Sequence, residues 1–464
     1  MRRIRLLQDE GGITEGVIWK QLLLFFFPIL LGTFFQQLYN TVDAMIVGQA
    51  VGKEALAAVG GTTGTLINLL LGFFVGLSSG ATVIISQYYG ARSIEGVSHT
   101  VHTAAAMALL FGALLTAVGI PLAPVLLGWM DTPADVMPHA LPYLRIYFAG
   151  MIPSLIYNVG SGILRAVGDS RRPLYFLIVA CLTNIVLDLL LVLGLRLGVT
   201  GAAVATVLSQ TVAAALVVIT LLRSETMFRL VPRRIRFHGR VFLQVVRIGL
   251  PAGLQSVMYS LSNVLIQRAV NGFDTNVLAG WTAYGKIDSL FWMMVSAFGI
   301  SITTFVGQNF GAGRYDRVRR SVLVCMGMTL GTTVAMSALL YCFGDWMYRL
   351  FTPDPAVIEQ GMMILHLLVP CYFTYISIEI LSGAMRGAGD SAVPTVMTLV
   401  GVCLLRLVWL GVVLPMRHTM TTVLLTYPIT WVITSAMFII YYLWGGWLKR
   451  CIRRAGMPPE EARR

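Results

Sequence analysis

SGILRAVGDSRRP at residues 161–173 and SGAMRGAGDSAVP at residues 382–394 share Ser, Gly, Arg, Gly, Asp, Ser and Pro in a single frame. Chance does not produce seven identities in thirteen positions, so the chain carries an internal duplication at an offset of 221 residues. The same offset pairs Gln87, Gly90 and Ala91 with Gln308, Gly311 and Ala312, and an offset of 223 pairs Pro28 with Pro251 and Asn40 with Asn263. Around these short polar signatures the chain is apolar almost throughout. Of 464 residues 57% are hydrophobic and 12% charged, against about 25% charged in ordinary globular chains. A mean hydropathy of +0.77 spread over the whole length means that lipid solvates most of the chain, and it excludes a soluble enzyme on a single anchor.

Runs of about 20 apolar residues cross a bilayer as helices, and strand-like alternation is absent. Reading between the charged and Gly/Pro-rich islands places spans near 20–48, 55–85, 97–128, 138–163, 173–196 and 199–222. A second six fall near 244–270, 276–306, 321–348, 357–384, 393–415 and 420–446. The expected fold is an all-α integral membrane protein of twelve transmembrane helices in two pseudo-symmetric six-helix lobes around a central cleft. Its parts are an N-terminal lobe over 1–224, a basic linker over 225–243, a C-terminal lobe over 244–448 and a tail over 449–464. Six spans per half return the chain to its starting side, so the halves share one orientation.

Charge sets that orientation. The formal net charge is +13, and about three quarters of the 34 Lys and Arg collect on the side that holds both termini, which is therefore expected to be cytoplasmic in a cell membrane. The excess orients the chain and predicts no nucleic-acid partner. The first apolar run is too long for a cleaved leader and is expected to stay as the first span. Six cysteines form no CxxC pair, and the six histidines are dispersed. No GxxxxGK[ST], HExxH or GxSxG motif is present, which removes ATP hydrolysis and intramembrane hydrolysis from consideration.

Ionisable residues within spans need a partner, a cavity or a function. Gln36, Asn40 and Asp43 share one face of the first helix, Asn184 and Asp188 are four apart on the fifth, and Thr206 and Gln210 four apart on the sixth. At about 1.5 Å per residue, Asp43, Asp188 and Thr206 fall at similar depths, roughly 9 to 12 Å from the outer ends. Interhelical hydrogen bonding is one reading of such groups. The other is an ion site: low-dielectric surroundings penalise the ionised carboxylate, so an acid without a cationic partner can take up a proton, and the same oxygens are hard ligands for sodium.

The second lobe does not repeat this set, for Ile266, Leu405 and Trp409 stand at the positions of Asp43, Asn184 and Asp188. It places Gln255, Met258, Tyr259 and Asn263 on the seventh span, Lys286, Asp288 and Trp292 on the eighth, Tyr375 and Glu379 on the tenth and Arg406 on the eleventh. Two cations and two anions either neutralise one another or wall a substrate cleft, in which Met258, Tyr259, Trp292, Met293, Tyr372 and Tyr375 supply adaptable apolar and cation-attracting surface.

PILLGTFFQQLYNTVDAMIVGQAVGKEALAAVG, the paired ISQYYGA and GQNFGA, and the paired SGxxRxxGDSxxP together resemble the bacterial MATE (multidrug and toxic compound extrusion) transporters over about residues 15–450. The resemblance implies twelve spans in two lobes and a first-lobe proton or sodium site at Asp43, Asn184, Asp188 and Thr206. Another branch of that family uses acids on helices seven and ten. Glu379 matches the latter, whereas helix seven here offers Gln255 and Asn263. The expected activity is secondary antiport of cationic or amphipathic compounds against H+ or Na+ by alternating access, with no cofactor and as a monomer. A flippase or exporter of a lipid-linked or other amphiphilic metabolite is the alternative within transport, and a non-transporting membrane scaffold the alternative outside it.

Overall fold

The structure is a computed structural model that describes residues 13–455; Arg2, Arg3 and Arg5 of the basic N-terminus and the tail beyond Ala455 lie outside the described residues. Among the described residues there is no strand. The helices are α1 (Ile18–Ala50), α2 (Lys53–Gly60), α3 (Thr62–Gly90), α4 (Ile94–Trp129), α5 (Met137–Ala149), α6 (Met151–Ala166), α7 (Arg171–Asp188) and α8 (Gly198–Arg223). After the linker follow α9 (Gly239–Val270), α10 (Thr275–Gly311), α11 (Tyr315–Arg349), α12 (Pro355–Leu368), α13 (Ile376–Gly387), α14 (Ala392–Thr398), α15 (Leu405–Met416), α16 (Met420–Trp444) and α17 (Trp447–Arg454). Among the described residues eleven helical stretches are long and apolar enough to cross a membrane, and α5 with α6, bent by 52° at Gly150, makes a twelfth. Helices close their own backbone hydrogen bonds, which is what lets each stretch sit in hydrocarbon.

The chain divides into two compact units, Leu24–Gly253 and Ile13–Leu23 with the chain from Leu254 onward. In the first, buried side chains form two apolar clusters. One includes Leu77, Ile85, Val101, Leu155, Leu164 and Val217, and the other Val47, Leu127, Leu144, Phe148 and Val192. In the second unit Phe291, Phe298, Phe305, Tyr372, Trp431 and Phe438 are fully buried.

The duplication reappears as matched backbone chemistry within each unit. Asp169 N–H donates to the Leu164 carbonyl at 2.9 Å and Asp390 N–H to the Met385 carbonyl at 2.9 Å. Both bonds close a helix over a glycine in the left-handed region, Gly168 at φ 97° and Gly389 at φ 93°, where a β-carbon would clash with the following carbonyl. Asp169 Oδ1 then accepts from Arg171 N and Arg172 N at 3.1 Å each, which starts α7. The breaks in the fourth and tenth spans are matched as well. Thr116 Oγ1 donates to the Phe148 carbonyl at 2.7 Å, and Ser337 Oγ, at the equivalent position, donates to the Val369 carbonyl at 3.2 Å. A hydroxyl from the preceding span thus supports a carbonyl at the interruption, as a broken membrane helix requires.

Candidate ion and substrate sites

In the first unit α1 packs on α7, with Gly32 facing Leu177 so closely that a β-carbon would lie 3.2 Å from it. α1 also meets α8 through Gln210 Nε2, which donates to the Tyr39 hydroxyl at 3.4 Å. As first and sixth spans, α1 and α8 are antiparallel. The residue one turn beyond Tyr39, Asp43, is therefore level with the residue one turn before Gln210, Thr206. Asp43 and Asp188 are electrostatic neighbours, and Asn184 lies one turn below Asp188 on α7. The sequence-derived quartet is thereby gathered in one place: Asp43 is 5% exposed, Asn184 and Asp188 0% and Thr206 7%.

The hydrogen bonding of that cluster is incomplete. Among the described residues, Asp43 Oδ1, both carboxylate oxygens of Asp188, Asn184 Oδ1, Thr206 Oγ1 and Gln210 Oε1 are buried without a hydrogen-bond donor. Buried polar atoms are otherwise almost always satisfied. Two adjacent carboxylates and amide and hydroxyl oxygens make an all-oxygen set suited to a hard monovalent cation, or to a proton shared between the acids. The sequence did not single out the tyrosines around the set. Tyr39 lies one turn before Asp43, Tyr143 is an electrostatic neighbour of both acids, and Tyr147 packs against Tyr143 with ring centroids 6.4 Å apart. Their i−4 and i+4 spacings were the available signal. A wide π-helical stretch, Leu189–Gly194, begins at the residue after Asp188, a kind of irregularity that recurs at functional sites. Gln36 and Asn40 are exposed.

In the second unit the four charges do not neutralise one another directly. Among the described residues none of Lys286, Asp288, Glu379 and Arg406 forms an ion pair with another. Asp288 instead accepts three neutral donors: Tyr372 O–H at 2.5 Å and Tyr284 O–H at 3.3 Å on Oδ1, and Trp292 Nε1–H at 2.7 Å on Oδ2. Glu379 accepts from Tyr375 at 3.5 Å, and the Tyr375 and Tyr259 hydroxyls are 3.3 Å apart. Arg406, 2% exposed, stacks its guanidinium 4.6 Å from the Tyr427 ring centre and reaches Ser262 Oγ and Asn263 Oδ1 at 3.4 Å each, and its Nε has no partner among the described residues. Trp431 joins these groups, with ring centres 5.8 Å from Tyr375 and 5.5 Å from Tyr427. Gln255 accepts from Thr395 at 3.3 Å. Met258 is half-buried, whereas Lys286 and Asn263 are exposed. The arrangement is an aromatic cage carrying two acids and one buried cation, with Tyr284, Tyr427 and Trp431 the members that sequence reasoning missed.

Twelve apolar spans in two duplicated sets, with polar clusters buried inside the lobes, define a multi-pass membrane transporter. The MatE family model matches residues 28–190 and 251–410, and the chain belongs to the MATE family of multidrug efflux transporters. It is 28% identical to the Probable multidrug resistance protein YpnP of Bacillus subtilis (strain 168), over 94% of this chain and 97% of that protein. It is 25% identical to the FAD transporter of Shewanella oneidensis, over 81% of this chain and 83% of that one. A crystal structure of MATE in the bent conformation superposes with a TM-score of 0.86 at 22% identity, covering 96% of this chain and 98% of that one. That likeness bears on the fold.

Proposed function

We propose that the chain is a secondary antiporter of the cytoplasmic membrane, with both termini cytoplasmic, which exports cationic or amphipathic compounds in exchange for H+ or Na+ at Asp43, Asp188, Asn184 and Thr206. The observation that carries this reading is the buried set of partnerless oxygens around two adjacent carboxylates. Two ionised acids side by side in low dielectric repel each other and the surrounding carbon. A proton or a sodium ion relieves that repulsion and lets the helices around α7 and α8 close. Entry of the ion therefore changes the relative stability of two packings of one lobe, which is the coupling an antiporter needs. The test uses the full chain in proteoliposomes loaded with a fluorescent cation, under an imposed proton gradient and then an imposed sodium gradient. Uphill dye movement under one of them supports the proposal, and dye movement indifferent to both overturns it.

A second reading concerns the substrate. Arg406 is a buried cation with no carboxylate within ion-pair distance among the described residues, and a relative matched over most of its length is named an FAD transporter. Both favour an amphiphile with an anionic group, stacked on the aromatic residues and neutralised at Arg406. Competition of flavin dinucleotide with the dye in the same vesicles separates this reading from export of cations alone.

A further inference from the structure

Within the first unit, a cavity of about 200 Å³ lies between α4, α6, α8 and the linker that follows α8. Its walls are carbon: Ala105, Ile156 and Val218 from the helices, and Leu230, Pro232 and Ile235 from the linker. Ala105, Ile156 and Val218 are half-exposed and the adjoining Leu109 is exposed, so the cavity opens on the flank of the helices. A water-filled cavity needs polar partners, and these walls offer none.

The linker above it has a two-faced sequence. In Arg229–Leu230–Val231–Pro232–Arg233–Arg234–Ile235–Arg236, Leu230, Pro232 and Ile235 line the cavity, and the four arginines between and beside them are exposed. The segment is held in place. Val231 N–H donates to His102 Nε2 at 3.0 Å, His238 N–H to Thr103 Oγ1 at 3.2 Å, and the His99 and His238 rings stack at 4.1 Å. Among the described residues none of Arg229, Arg233, Arg234 and Arg236 is in an ion pair; Arg236 donates to the His238 ring at 3.2 Å. A basic loop that served only to orient the chain would need neither a fixed backbone nor an apolar underside.

We propose that this is a binding site for an anionic phospholipid, with one acyl chain in the cavity and the headgroup phosphate held by Arg233 and Arg234, flanked by Arg229 and Arg236. Guanidinium groups match phosphate oxygens in bidentate geometry, and basic pockets at the cytoplasmic ends of membrane helices select anionic headgroups. A small soluble anion leaves the carbon walls unfilled, and a peptide would bury backbone groups against walls that offer them nothing.

The experiment labels the purified full-length protein in nanodiscs with phosphatidylglycerol carrying a photoactivatable acyl chain, in parallel with the same probe on phosphatidylcholine, and maps the adducts by mass spectrometry. Adducts at Ile156, Val218 or Leu222, which also lines the cavity, are expected to form preferentially with phosphatidylglycerol. The double variant Arg233→Gln, Arg234→Gln, both exposed and remote from the cores, lowers that labelling roughly tenfold. Ala105→Trp plugs the mouth and abolishes it. Equal labelling by the two lipids, wild-type labelling of the arginine variant, or adducts confined to other surfaces overturns the proposal. The arginine variant keeps the test decisive where the tryptophan variant does not fold.

Discussion

α3 and α9 cross at Gly76, Gly80, Gly249 and Gly253, two glycines four apart on each helix. A β-carbon on Gly80 would lie 2.7 Å from Gly249 N and press into the Val245 carbonyl oxygen. One on Gly76 would lie 2.6 Å from the Gly253 Cα, and one on Gly249 would press into the Leu77 carbonyl oxygen. Ordinary contact begins near 3.4 Å, so alanine at Gly80 forces the two helices about 1 Å apart, and backbone cannot fold aside as a side-chain tip can. Overpacking of this kind costs about 1–3 kcal/mol, and the better helix propensity of alanine returns up to about 1 kcal/mol. The net loss expected is therefore about 1–2 kcal/mol for Gly80→Ala and similar for Gly249→Ala. An internal control is available in α11, where Gly327 and Gly331 show the same spacing but a β-carbon on either meets nothing within 4 Å. Gly327→Ala and Gly331→Ala should be neutral or stabilising by up to about 1 kcal/mol. The assay is the unfolding midpoint of the purified variants in one detergent. Should Gly80→Ala prove as stable as Gly327→Ala, the close helix crossing is wrong.

Arg92 sits in the left-handed region at φ 54°, where the second half has Gly313 at φ 71°; Arg92→Gly should raise stability by about 1 kcal/mol and Gly313→Ala lower it similarly, read as opposite shifts in the unfolding midpoint. Asp288→Asn cannot accept from the Tyr372 hydroxyl and the Trp292 indole on separate oxygens, so one donor is stranded at a loss of about 1–3 kcal/mol. In a Trp292→Phe background the same change should lose less, and an unchanged loss in that cycle contradicts the assigned bond. Burial, then the neighbouring His99 ring and Arg236, holds the His238 imidazole below its ordinary pKa of 6.5. The neutral ring therefore belongs to the docked linker, its contribution is complete above about pH 6.5, and it is lost as pH falls through the lowered folded value. The stability advantage of the wild type over His238→Asn should shrink between pH 8 and pH 5.5, and a constant advantage would show that His238 does not clasp the linker.

The spans and the matched turns were legible because each rests on a local rule. Length of apolar run decides a membrane helix, and a Gly-Asp-Ser signature decides where one helix caps and the next begins. The burial of Asp43, Asn184, Asp188 and Thr206 at one level of the first unit was legible because a carboxylate has few reasons to lie in lipid and helical spacing orders such groups by depth. Two features were not. Tyr284 joins Asp288 and Trp292 at every fourth residue on one face of α10, yet an aromatic in a membrane helix reads as packing until a half-buried carboxylate is seen accepting from it. The charges of the second lobe left two readings open, since equal numbers of each sign invite pairing as readily as they line a cleft. Asp288 satisfies itself with neutral donors, two from its own helix and one, Tyr372, from a distant part of the chain, and Arg406 stacks on Tyr427. Likewise, Gly76-x₃-Gly80 and Gly327-x₃-Gly331 are indistinguishable as sequence, and only tertiary placement makes one a crossing and the other an open face.

The central claim is that the carboxylates buried in the first lobe couple an ion to transport. Its most direct measurement compares wild type with Asp43→Asn and Asp188→Asn in proteoliposomes, following dye exchange at equilibrium without any gradient and uphill dye accumulation under the driving gradient. Both variants should exchange dye at equilibrium, because the dye's own path is intact, and fail to accumulate it uphill, because the ion has lost its charged seat. Uphill accumulation at the wild-type rate by either variant would remove that acid from the mechanism.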